Sequence, residues 1–132
     1  MGSGPNRKAN VKGRSKKSGQ FFALHYVMAR SYAYRSLSGN AMKVFIELRC
    51  RYNGSNNGKL SLSLREAAKL LGMSQSSAKR SFDELIEKGF IERKKEGHWY
   101  GRKAAEYAVT DAKLDGQPPT NKWQTYSAMH LR

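Results

Sequence analysis

Two serine-led helix starts, Ser63 and Ser74, flank a single turn-forming glycine, Gly72, and this pattern constrains the chain more than any other. Ser63 with Glu66 three residues on reads as a capping box, in which each side chain satisfies a backbone N–H at the other's position. Gly72 stops that helix. Ser74 caps a third, longer helix predicted to run to Lys88, and Gly89 stands where a left-handed residue closes a helix. The centre of the chain therefore reads as two capped helices joined by a three-residue turn.

Flanking elements follow from the same punctuation. Ser38 can cap a helix over about residues 39–52, because Ala41, Val44, Phe45 and Leu48 fall at helical spacing and the run Asn53 to Gly58 cannot continue it. Leu60 to Leu62 reads as a brief strand. After Gly89 the pattern changes to a strand, Phe90 to Lys95, a glycine-bounded tip, Gly97 to Gly101, and a return strand with Ala105, Tyr107 and Val109 on alternate positions. The dense aromatic and apolar residues of Phe21 to Leu37 predict a short strand followed by a short helix. Residues 1–20 have the composition of a disordered basic arm. Residues 112–132, with Pro118, Pro119 and scattered aromatics, form a tail that either docks on the body or stays mobile. At 132 residues, with 39% hydrophobic, one domain over 21–111 is expected, of α+β class with a three-helix core and a C-terminal β-hairpin.

Charge narrows the partner. Twenty-five Lys and Arg against ten Asp and Glu give +15, a self-repulsion that calls for a polyanion as usual neighbour. Residues 1–46 hold nine cations and no acid, so the arm is read as adding phosphate contacts or entering a minor groove in preference to merely solubilising. The longest apolar stretch, Phe21 to Ala29, is interrupted by His25 and far shorter than the roughly 20 residues that span a bilayer. Neither a membrane partner nor a secretory signal is expected. The single cysteine, Cys50, has no partner for an internal disulfide and is expected to be a small, partly buried residue. This fits a cytoplasmic, nucleoid-associated protein. His25, His98 and His130 lack metal-ligand spacing and no glycine-rich phosphate loop precedes a helix, so no enzyme activity, catalytic residue, cofactor or metal is expected.

The stretch REAAKLLGMSQSSAKRSFDELIEKGFIERKKEG, Arg65 to Gly97, resembles the helix-turn-helix and wing of bacterial winged helix-turn-helix proteins, and the resemblance in fold class covers roughly residues 38–111. Ala68 is small where the helices cross, Gly72 permits the turn, Met73 inserts from it, and Ala78, Phe82 and Leu85 bury one stripe of the third helix. Two positions depart from the family: Ala78 is only a methyl where an aliphatic is usual, and Ser81 replaces a commonly apolar residue. From Phe21 to Gly58 the chain also resembles the opening of small DNA-binding proteins of plasmids, phages and integrative elements.

The resemblance makes helix 75–88 a recognition helix, with Gln75, Ser76, Ser77, Lys79 and Arg80 toward duplex DNA, and the wing, 97–103, a backbone or minor-groove contact through His98, Tyr100, Arg102 and Lys103. Helical projection leaves Ser76, Lys79, Arg80, Asp83 and Glu87 off the buried stripe. Lys79 with Asp83 and Arg80 with Glu84 are i, i+4 pairs that could instead satisfy each other on a solvent face. The first reading of function is a sequence-preferring double-stranded DNA-binding protein acting as a transcriptional regulator. A replication or excision accessory factor of a mobile element would look the same at this level. A winged module for protein association or RNA is the alternative of another class, and segment 21–37 is the candidate homodimer surface.

Overall fold

The computed structural model describes residues 19–97 and 103–126. Along the chain run α1 (Tyr26–Ala29), α2 (Tyr32–Arg35), α3 (Gly39–Arg51), β1 (Leu60–Ser61), α4 (Leu64–Leu71), α5 (Gln75–Glu87), β2 (Ile91–Lys95), β3 (Glu106–Val109) and a closing 3-10 turn (Lys122–Thr125). The strands form an antiparallel sheet in the order β1-β3-β2, with Leu60 opposite Tyr107 and Ile91 opposite Val109. Three packed helices with a sheet whose β2–β3 pair extends as a wing make an α+β winged helix-turn-helix. The basic arm (residues 1–18) and the wing tip (residues 98–102) lie outside the described residues.

Serines start each of the long helices. The hydroxyl of Ser38 accepts from Ala41 N (3.1 Å), that of Ser63 from Glu66 N (3.0 Å), and that of Ser74 from Ser77 N (3.0 Å), each cap being worth about 1 kcal/mol. The reciprocal half of the expected capping box is not made, because the Glu66 carboxylate accepts instead from the Arg51 guanidinium (3.0 Å) of α3. Between Phe21 and Leu37 two four-residue helices stand where a strand and a helix were expected. Ser31 decides this, since its hydroxyl donates to Met28 O (2.7 Å) at the end of α1 and accepts from Tyr34 N (3.0 Å) at the start of α2. Met28, Ala33 and Leu37 turn inward and are buried.

The core is built on α3, whose Ala41, Val44, Phe45 and Leu48 are fully buried and which packs on both α4 and α5. On α4 the inward stripe is Leu64, Ala67 and Leu71 at i, i+3, i+7. Ala67, not Ala68, is therefore the small residue at the crossing; it is fully buried, as is Ala78 on α5, while Ala68 sits half-buried at the flank. Ala67 and Ala78 are both fully buried where α4 packs on α5. Ser81 occupies its core position by donating its hydroxyl to Ser77 O (2.8 Å), so this buried hydroxyl is not left unpaired. Cys50, expected to be partly buried, is exposed.

Three long-range clamps hold the periphery to this core. Arg49, 8% exposed, pairs with Asp111 (3.2 Å), donates to Ala23 O (3.3 Å) and lies over the rings of Phe22 and Tyr52. Burial pushes the Asp111 carboxyl up, against the opposing pull of Arg49. Asn57, buried, accepts from Val109 N (2.8 Å) and donates to Val109 O (2.9 Å) and Lys113 O (3.0 Å), pinning the end of β3. Trp123, 5% exposed, stacks on Phe90 with ring centroids 6.3 Å apart, and Lys122 pairs with Glu92 on β2.

The chain reverses from α5 into β2 at Gly89, whose φ of +85° is left-handed. A Cβ there would lie 2.7 Å from the backbone carbonyl of Lys122. Gly89→Ala therefore meets both a strained backbone and an immovable neighbour, and is expected to lose about 2–4 kcal/mol of stability. Denaturant unfolding checks this: a midpoint unchanged from wild type would show that the closing turn does not press on Gly89.

Candidate nucleic-acid interface

The helix-turn-helix corner is fixed by backbone geometry. Gly72 adopts φ +69°, and both Gly72 N and Met73 N donate to Ala68 O (3.1 Å each), ending α4 in a left-handed residue. Met73 then packs against the core, as its place in the turn led us to expect. Ser74 restarts the helix with its side chain, so the free N–H groups and the positive dipole end of α5 stand at the surface.

On this end a relay of hydroxyls orders the first turn. Ser74 Oγ bonds Ser76 Oγ (3.1 Å) and donates to Ser77 Oγ (3.0 Å), which also accepts from the Arg80 guanidinium (3.1 Å). Gln75, Ser76, Lys79 and Arg80 are exposed and Ser77 is half-buried, so α5 brings all five helix residues singled out from the sequence to one end. Lys79 pairs with Asp83 (2.9 Å) in the open, the two side chains being 65% and 50% exposed. Ala78, Phe82 and Leu85 bury the opposite stripe.

The expected Arg80–Glu84 pair does not form. Glu84 turns toward α3, where its carboxylate accepts from Ser38 N (2.9 Å) and Ser38 Oγ (2.8 Å), and from Lys88 Nζ (2.9 Å), which also donates to Ser36 O. The start of α3 offers unsatisfied N–H groups that a carboxylate satisfies better than a solvent-facing arginine does. Among the described residues no carboxylate lies within ion-pairing distance of Arg80. Burial raises the Glu84 carboxyl, but the bonds from Lys88 and Ser38 outweigh it and hold Glu84 below the usual carboxylate range.

Beside α5 the wing carries further cations. Arg93, Lys94 and Lys95 on β2 are all exposed, and the register slips between Arg93 and Lys95 so that one extra residue is accommodated there. The Arg93 guanidinium lies over the Tyr107 ring (5.7 Å), and that ring stacks on Phe82 of α5 (4.8 Å). Sequence reasoning passed over Arg93, because its link to α5 depends on a cross-strand register that strand periodicity alone does not supply. Lys43 was missed as well: it projects from α3 and its ammonium donates to Leu71 O (3.2 Å) at the corner itself. Lys103 is exposed ahead of β3. His98, Tyr100 and Arg102 lie outside the described residues. Gly97 approaches the return strand closely, since a Cβ would sit 2.8 Å from Ala105 N.

Residues 34–91 match a helix-turn-helix domain family. The helix-turn-helix match runs from within α2 to the first residue of β2, so it takes in the corner and all of α5 and stops before the wing's cations. It supports DNA as the partner. No curated protein and no solved structure matches the chain. Among the described residues no helix is long and apolar enough to cross a membrane.

The orientation of this helix-turn-helix on α3 depends on Glu84, which gives a pH test. A carboxyl with a lowered folded-state pKa contributes stability that is present above its unfolded value, about 4.3, and is lost as pH falls through the folded value. Glu84→Gln is therefore expected to cost about 1–2 kcal/mol at neutral pH, as for a partly exposed charge-assisted set of bonds, with the difference from wild type shrinking as pH falls below about 4. A difference independent of pH would show that the charge of Glu84 is not what holds the helices.

Proposed function

We propose that the protein is a sequence-preferring double-stranded DNA-binding protein acting as a transcriptional regulator, with α5 in the major groove and the wing and basic arm on the backbone. One observation carries this reading: Arg80 stands at the exposed N-terminal half of α5 with no carboxylate among the described residues to neutralise it, because Glu84 is committed to Ser38 and Lys88. Its guanidinium suits the two acceptors of guanine in the major groove, and Gln75 suits adenine. The Ser77 hydroxyl accepts from the Arg80 guanidinium and tethers it to the first turn of α5, so less side-chain freedom is lost on binding.

Lys79 serves as a phosphate contact. Its exposed pair with Asp83 contributes only about 0.3–0.5 kcal/mol, too little to withhold the ammonium from a polyanion whose condensed counterions are released on binding. In the same reading the wing, 97–103, adds backbone contacts through His98, Tyr100, Arg102 and Lys103. The α5 dipole adds a favourable end for a phosphate at Ser76 and Ser77.

The two kinds of contact separate experimentally. Lys79→Ala is expected to weaken every duplex alike and to reduce the slope of log affinity against log salt by about one. Arg80→Ala is expected to flatten preference at one base position by about 1–3 kcal/mol while leaving affinity for random duplex less affected. Measured on a sequence selected from random duplexes, equal losses on selected and random DNA for Arg80→Ala would contradict base reading.

A further inference from the structure

We propose that α1 and the segment leading into it form a second nucleic-acid surface, separate from α5, that takes the unpaired bases of single-stranded DNA by stacking. Among the described residues the exposed aromatic rings are Phe21, Tyr26 and Tyr32, all within one stretch of the chain. Phe21 is 92% exposed, Tyr26 76% and, between them and α2, Val27 is 70% exposed. Tyr32 is already partly engaged, stacked on Tyr126 at 6.2 Å. The Arg30 guanidinium lies 5.0 Å from the centre of the Tyr26 ring, an arrangement in which a cation and a ring are presented together.

Exposed rings interleaved with cations, and with no acid nearby in sequence, are what a base-stacking strand surface requires: every base has a face that stacks, and the backbone that carries it is anionic. Residues 1–46 supply nine cations and no carboxylate. The same charge argues against a second copy as occupant. A two-fold interface sets a patch against itself, so Arg30 and Arg35 would be brought to the same segment of the second copy, which offers no acid to pair them. A polyanionic strand removes that repulsion, and duplex DNA does not offer an unstacked base face to Tyr26.

The test is fluorescence anisotropy with a short oligothymidylate and, in parallel, a random duplex, on wild type, Tyr26→Ala and Tyr26→Phe, with sedimentation to read the oligomeric state. Tyr26 is exposed enough that its loss leaves the core untouched. Oligothymidylate binding is expected to weaken at least about fivefold in Tyr26→Ala, to persist in Tyr26→Phe, and to leave random-duplex affinity unchanged. The same Tyr26-dependent strand binding in a protein that fails to bind duplex would support this surface while removing the role given to α5. Strand affinity unchanged in Tyr26→Ala overturns the proposal. So does an equal loss on duplex and strand, or a wild-type dimer that Tyr26→Ala dissociates without altering strand affinity.

Discussion

Phe90 sits where α5 hands the chain to β2, and the arrangement of α5 and the wing depends on how it is packed. Its backbone closes α5 through a bond to Leu85 O and opens the sheet by accepting from Thr110 N. Its ring is fully buried and meets Phe45 of α3, Tyr34 of α2 and Trp123 of the closing turn, with centroids 5.6–6.3 Å apart. Aromatic contacts of this kind add about 0.5–1.5 kcal/mol each beyond the area they bury. Three segments, α2, α3 and the closing turn, are thereby fixed against one ring, and the direction in which β2 leaves α5 follows from it. Gly89 is the only kind of residue that can precede Phe90, because a side chain would collide with the backbone of the closing turn.

The second organising fact is where the acids go. Glu47 and Glu66 both hold Arg51, Asp111 holds Arg49, Glu84 holds Lys88 and the start of α3, and Glu92 holds Lys122 and Lys94. Asp111, Glu66, Glu84 and Glu92 thereby tie one element to another, while Glu47 meets Arg51 within α3. The exposed pairs among them contribute under about 1 kcal/mol each, whereas Arg49–Asp111 is buried, its side chains 9% and 5% exposed. Their consequence is positional: most of these acids sit at joints, while among the described residues Arg80 of α5 meets no carboxylate and Lys79 meets Asp83 only in the open.

Much of this was legible in the sequence because it is local. Ser38, Ser63, Ser74, Gly72 and Gly89 act on neighbours within a turn, and the helices and strands they bound fall within a residue or two of expectation. The buried stripe of α5 was legible for the same reason. What escaped depends on contacts across the fold. Glu84 looks like a partner for Arg80 by spacing and is captured by Ser38, 46 residues away. Asn57 looks like one more turn residue in an Asn-Gly run, yet its amide is buried against the end of β3. Glu66 answers Arg51 instead of Ser63, and Ala67 displaces Ala68 at the crossing because Leu64 and Leu71 set the phase of α4. Ser31, bonding to both sides, makes helices where apolar density read as a strand.

The central claim is that the N-terminal half of α5 is the surface that meets duplex DNA. Backbone amide shifts recorded while duplex is titrated into the labelled protein test it most directly. The account predicts that the largest changes fall on residues 74–80 and on the cationic stretch of β2, with the buried face of α3 unmoved. Changes confined to other surfaces, with residues 74–80 silent at saturation, would contradict it.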